Sequence, residues 1–206
     1  TVSLSNSLPP DRSAFIDGYE IENKPLPPGS AYPLVPVPAV NQDYLRTFEI
    51  PLLRGRWFDR RDTPDSPRVT VISEAMARRH FAGENSIGRR IKYGNEMLEI
   101  IGVVGDVKYR GLAMPNDAVF YQLNSQGQWW DMWLVVRTSG DASAMASAIR
   151  REVRAVDPGV PIDRVGTLDQ SLSASVALPR FRSMLMGSFA AVALLLAAIG
   201  IYGVIA

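Results

Sequence analysis

Arg68 to Phe81 reads RVTVISEAMARRHF. Its first part, Val69 to Ile72, is β-branched throughout and predicts a short strand. Ser73 stands where a helix N-cap is favoured, and the helix predicted from it runs to about Phe81. Met76 occupies the place of the Glu or Gln that would complete a capping box, so the start signal is partial. A strand that passes straight into a helix implies a fold mixing both kinds of element, and the neighbouring stretches decide which kind.

Downstream, GRRIKYG (Gly88 to Gly94) and EMLEIIGVVGDVKYRGL (Glu96 to Leu112) predict a hairpin turning at Gly94-Asn95. AVFYQL (Ala118 to Leu123) and MWLVVRT (Met132 to Thr138) predict two further strands, separated by a Gln- and Trp-rich loop. DASAMASAIRREVRAVDP predicts a helix from Asp141 to Asp157, because Met145, Ala148, Ile149, Val153 and Val156 recur as one face to be buried. VPIDRV (Val160 to Val165) predicts a short strand, and helical character resumes from about Leu168, with Pro179 as a kink. Upstream, DTPDSP (Asp62 to Pro67) is turn material. IPLLRGRWF (Ile50 to Phe58) predicts a strand turning at Gly55, and VNQDYLRTF (Val40 to Phe48) a short helix. Before them lies a Pro-, Gly- and Ser-rich stretch, residues 1–38, with one strand candidate at Thr1 to Leu8. Strands and helices that do not alternate strictly point to an α+β class.

Composition narrows the function. The 206 residues carry 22 Lys and Arg against 21 Asp and Glu, a balance that excludes the basic surface a nucleic-acid partner requires. There is no cysteine, hence neither disulfide nor thiolate metal site. The chain starts at Thr1 with no charged-then-apolar leader, so a fragment or processed product is expected. From Ser183 to Ala206 it reads SMLMGSFAAVALLLAAIGIYGVIA, without one charge. As a helix that run would be about 36 Å long, against a hydrocarbon core of about 30 Å, and it predicts a transmembrane helix. Arg180 and Arg182 would sit at its interface. The small residues Gly187, Ala191, Gly200 and Gly203 would let it pack against other membrane helices.

Motifs that carry chemistry are scarce. His80 has no second His or Cys to complete a site, so a surface or capping role is expected. GVVGD (Gly102 to Asp106) lacks the Lys-Ser/Thr of a phosphate loop, and its glycines predict a bulge or close backbone approach instead. Acidic residues are scattered, and no Ser lies in G-x-S-x-G. Arg54, Arg56, Arg60 and Arg61 surround Trp57 and Phe58, either as a partner-binding patch or as a strand with solvated arginines. No catalytic, cofactor-binding or metal-binding residue is assigned.

Five stretches, in order, resemble the bacterial ABC-transporter permeases of the MacB/FtsX type: VNQDYLRTFEIPLLRGRWFDRRD, RVTVISEAMARRHFAGENSIGRRI, EIIGVVGDVKYRGL, DASAMASAIRREVRAVDPGVPIDRVGTLDQSL and LPRFRSMLMGSFAAVALLLAAIGIYGVIA. The resemblance covers about Pro36 to Ala206. It implies a two-part periplasmic core over residues 1–165, a porter-like β-α-β part holding an irregular mixed insert at roughly 59–126. Residues 166–206 would be a connecting helix and the start of a transmembrane helix in the FtsX-like region. The chain would then be a piece of a longer protein, with a membrane helix before Thr1 and two beyond this one. The implied location is the inner membrane, with the bulk of this fragment periplasmic and Arg180 and Arg182 on that side. The implied partners are an ABC ATPase subunit or domain, a second permease copy, a periplasmic adaptor and the lipid bilayer. The implied work is mechanotransmission, cytoplasmic ATP hydrolysis driving a periplasmic conformational change for efflux or envelope tasks. The alternative is a binding or sensor module anchored by a single helix and regulating an envelope partner. A third class, an envelope enzyme, would need clustered acids or His80 in a pocket.

Overall fold

The computed structural model describes residues 1–10, 14–111, 114–115, 117–142, 144–173, 184–190, 193–194, 196 and 199. The chain divides into two compact units, Thr1–Val160 and Pro161–Ala206.

In the first unit the strands are β1 (Val2–Ser5), β2 (Ile16–Gly18), β3 (Glu20–Ile21), β4 (Leu34–Pro36), β5 (Ala39–Val40), β6 (Leu52–Gly55), β7 (Val69–Ser73), β8 (Arg90–Tyr93), β9 (Glu96–Val104), β10 (Phe120–Leu123) and β11 (Trp133–Val136). The helices are α1 (Tyr44–Phe48), α2 (Glu74–His80) and α3 (Ala146–Val156). Nine strands form one sheet in the order β11-β1-β5-β10-β7-β9-β8-β3, with β6 also on β9, while β2 and β4 make a separate ribbon. The β7–β9 and β5–β10 pairs are parallel and the rest antiparallel, so the sheet is mixed.

The strand predicted at Val69 to Ile72 lies near the middle of this sheet, and every residue of β7 is buried. Strand side chains alternate between faces. Val69 and Val71 enter one core cluster with Tyr44, Phe58, Ile101 and Tyr121, and Ile72 enters the other with Met76, Phe81, Ile100 and Phe120. Helix α2 covers the second face and α1 the first. Strands β7 and β10 are covered on both faces, and even their polar residues Thr70 and Ser73 are buried and Gln122 half-buried.

The predicted hairpin is β8–β9, with Tyr93 opposite Glu96 and Gly94 at φ 57°. The predicted close approach at the GVVGD glycines is between β9 and β6. A Cβ on Gly102 would lie 2.2 Å from the Arg56 carbonyl oxygen, and the register slips between Leu52 and Arg54. Two expectations need correction. The helix predicted from Asp141 begins only at Ala146, where no side chain caps it, and none of its residues is buried. Ala148, Ile149 and Val153 are half-buried, whereas Met145 and Val156 are exposed. Periodicity identified an apolar face but could not reveal how little of this chain covers it. The strand predicted at Val160 to Val165 is irregular. Pro161 has no N–H for a ladder, and Asp163 and Arg164 carry exposed charges through the segment.

In the second unit residues 168–173 and 184–190 are helical. Among the described residues no helix is long and apolar enough to cross a membrane. Most of the stretch predicted to do so, including Ala191 and residues 200–206, lies outside them.

Gly102→Ala is expected to lower the unfolding free energy of the domain by about 1–3 kcal/mol, since β6 must move to admit the methyl group. Urea denaturation of the domain compares the two.

Candidate functional site

The sites named from sequence fall almost wholly beyond view. Arg180, Arg182, Ala191, Gly200 and Gly203 lie outside the described residues. Gly187 is on the helix at 184–190, and a Cβ there would meet nothing within 4 Å. The functional question therefore passes to the polar groups of the first unit, of which three sets are buried or half-buried.

The first set ties the arginine-rich segment to the sheet. Arg56 holds Asp62 through two parallel bonds of 2.7 and 2.9 Å, and Asp62 also accepts from the Asp59 N–H at 2.9 Å. Burial of the Asp62 carboxyl pushes its pKa up most strongly, but the Arg56 bonds, the Asp59 N–H and the Arg56 charge together outweigh it and hold the carboxyl below the usual carboxylate range. Arg61 pairs with Asp59 at 2.7 Å, Phe58 is in the core, and the Trp57 indole N–H donates to the Gln42 carbonyl. Arg56, Arg61, Trp57 and Phe58 are thus occupied internally. Gln126 closes the set. Its Nε2 donates to the Thr63 carbonyl and the Ser66 hydroxyl, and its Oε1 accepts from the Val69 N–H, which fastens the 62–67 turn to β7.

The second set lies where β7 becomes α2. The Ser73 hydroxyl accepts from the Met76 and Val119 N–H groups (3.2 and 3.0 Å) and donates to the Asp117 carbonyl (3.2 Å). Asp106, at the end of GVVGD, accepts from the Ala75 N–H at 2.6 Å and pairs with Arg78 at 2.8 Å, an anion at the helix N-terminus. Asp117, almost fully buried, accepts from the Tyr109 and Arg110 N–H groups and from the Arg110 side chain. Nearby, the Tyr44 and Tyr109 hydroxyls are 2.6 Å apart, and burial pushes both phenols up.

The third set contains His80, expected at the surface or as a cap. It ends α2 but is half-buried, with Nε2 2.5 Å from the Tyr19 hydroxyl and the two rings edge to face. Lys24 donates to its carbonyl at 2.7 Å. Burial, then the positive charges of Arg79 and Lys24, push the imidazole down, so it is neutral near pH 7.

A cleft beside α1, lined by Leu45, Arg46, Glu49, Leu52 and Arg137, is open to solvent, with Arg137 paired to Glu49 at 2.7 Å. Among the described residues no three His, Asp or Glu side chains converge as metal ligands would. Each buried polar set joins elements that are distant in sequence. Together they make a scaffold rather than an arrangement of base, nucleophile and oxyanion donors.

Residues 19–152, more than half of the chain, match the model of the MacB-like periplasmic core domain. The chain belongs to that family. The pyoverdine export ATP-binding/permease protein PvdT of Pseudomonas aeruginosa is 25% identical over 180 residues, covering 80% of this chain and 26% of PvdT. The chain therefore spans about a quarter of the length of this curated relative. The periplasmic region of MacB from Actinobacillus actinomycetemcomitans shares the fold with a TM-score of 0.55 at 15% identity, over 76% of this chain and 66% of that one. The extracellular domain of the noncanonic ABC-type transporter YknZ from Gram-positive bacteria gives 0.52 at 14% identity, over 76% and 75%. The match covers the first three of the five sequence stretches and the start of the fourth, and so agrees with the MacB-like part of the resemblance.

Because folding lowers the His80 pKa, the unfolded chain binds a proton there more readily than the folded one. Stability is therefore expected to fall as pH drops below the unfolded histidine value of about 6.5, and to level off below the folded value. His80→Gln should remove this component, seen as a flatter urea midpoint between pH 7 and pH 5.

Proposed function

We propose that this chain is the periplasmic core of an ABC-type permease, coupling ATP hydrolysis on another domain or subunit to a conformational change outside the inner membrane. The observation that carries this reading is the family match over residues 19–152, backed by a relative that is an export ATP-binding/permease protein. In this reading residues 1–165 are the core, with 59–126 as its inserted part, and 166–206 form the connector and the start of a transmembrane helix. Arg180 and Arg182 lie at the membrane interface. Gly187, Ala191, Gly200 and Gly203 face other membrane helices, where small residues allow close contact. Two permease copies pair, and a periplasmic adaptor completes the route for the exported substrate.

The interior of the core suits such work. Its central strands are covered on both faces, and close-packed interiors deform little, so a push delivered through the connector moves the sheet as a body. The side chains of Asp62, Asp106 and Asp117 hold segments to this body. The chemistry of hydrolysis belongs to the partner.

The test uses the full-length protein, gently solubilised from its native membrane. An ATPase is expected to co-purify, and Gly200→Leu or Gly203→Leu should alter its hydrolysis rate by obstructing helix packing. A preparation free of ATPase, or one whose hydrolysis ignores both substitutions, contradicts the coupling role.

A further inference from the structure

The coupling role proposed above assigns no task to the proline-rich stretch. It forms the loop between β3 and β4, exposed from Asn23 to Leu34 except for half-buried Leu26 and Pro33. Pro25, Pro27, Pro28 and Pro33 fix φ and remove backbone donors, so the loop has less freedom to lose on binding than a glycine-rich one. Its tip is a turn in which the Ser30 N–H donates to the Pro27 carbonyl at 3.0 Å. Gly29 at φ 82° fills the left-handed position that a type II turn with Pro at its second residue requires. One stem is anchored by Lys24, bonded to the His80 carbonyl and lying 5.4 Å from the centre of the Phe81 ring. The other runs into β4.

The β2–β4 ribbon has two unlike faces. Asp17 pairs with Val35 on the inner one, where Val35 is in the core and the Asp17 carboxylate accepts from the Tyr93 hydroxyl at 2.9 Å. The Ile16–Pro36 and Gly18–Leu34 pairs lie on the other, where Pro36 is buried but Ile16 is 40% and Leu34 63% exposed. Tyr32, two residues before Leu34 and 56% exposed, lies against Gly18, where a Cβ would be 2.6 Å from that of Tyr32. Single exposed apolar residues are ordinary. Ile16 and Leu34 on the ribbon, with Tyr32 at the end of the stiffened loop and seated on a glycine, form a contact surface prepared before binding.

We propose that this surface, residues 24–34 with Ile16, docks into an apolar, aromatic-lined groove on an extracytoplasmic protein. The chemistry of the loop selects that occupant. No charged residue lies between Lys24 and Asp43, and Lys24 is engaged within the chain, so the surface complements an uncharged groove rather than an acidic protein or anionic headgroups. A bilayer fits badly, because a loop short of internal backbone bonds would carry bare carbonyls into hydrocarbon. The cleft beside α1 of a second copy fits no better, being ion-paired by Arg137 and Glu49 rather than apolar. Proline-rich extended chain entering an aromatic groove is, by contrast, a recurring mode of recognition. The inference rests on the extracytoplasmic placement proposed above and not on ATP coupling.

The test places a photo-crosslinking amino acid at position 32 of the full-length protein in its native envelope, with position 151 as an exposed control. A single protein adduct is expected at 32 and none at 151. Mass spectrometry should map the link to apolar and aromatic residues of the other protein. The adduct should disappear with Ile16→Asp or Leu34→Asp, return with Leu34→Met, and be competed by a synthetic peptide of residues 24–38. Thermal melting checks that the variants fold. An adduct with lipid or with another copy of this chain overturns the proposal, as does one that ignores the substitutions, or no adduct. Loss of ATPase co-purification with the adduct intact would count against the coupling role alone.

Discussion

The Ser73 hydroxyl is the constraint on which the rest of the fold depends. It has one proton to donate and two lone pairs to accept with, and all three are used, by Asp117, Met76 and Val119. At one atom the end of β7, the first turn of α2 and the approach to β10 are held together. The Ser73 N–H also donates to the Val119 carbonyl at 2.9 Å, so the serine fixes its neighbour by backbone and side chain alike. With β7 and β10 set side by side, their alternate side chains have no choice but to fill the clusters on the two faces of the sheet. The Asp106 bond to the Ala75 N–H then sets the opposite side of the same helix end against β9.

Those parts of the fold carried by short-range signals were legible in the sequence. A β-branched run followed by serine marks the β7–α2 junction, and Gly94-Asn95 between alternating segments marks the hairpin. Gly102 and Gly105 announced a close approach, though not that Arg56 and Pro51 are the groups approached. What could not be read was long-range. Asp62 lay in DTPDSP, a stretch read as turn material, and nothing local says that its carboxylate turns inward onto Arg56. Gln126 stood at the start of a polar loop, yet it is almost wholly buried and bonds to a turn some sixty residues away. The same limit explains the α3 error, since an amphipathic pattern reports a face and not what covers it.

Function was legible by a different route. Composition and motifs removed possibilities, while the ordered stretches from VNQDYLRTF onward pointed to one family, which the match over residues 19–152 shows for its MacB-like periplasmic core domain. The buried polar groups acquire a consistent meaning in that light. Asp62, Asp117 and His80 each bond to another segment of the chain.

Placement outside the inner membrane is the claim on which the proposed role stands, and a cysteine introduced into this cysteine-free chain, with the unsubstituted full-length protein as background, measures it. A single cysteine would replace exposed Arg61 in the full-length protein, in intact cells, and be challenged with a membrane-impermeant maleimide. The account requires labelling without permeabilising the inner membrane. Labelling that appears only after the inner membrane is opened would put the domain in the cytoplasm and contradict the account.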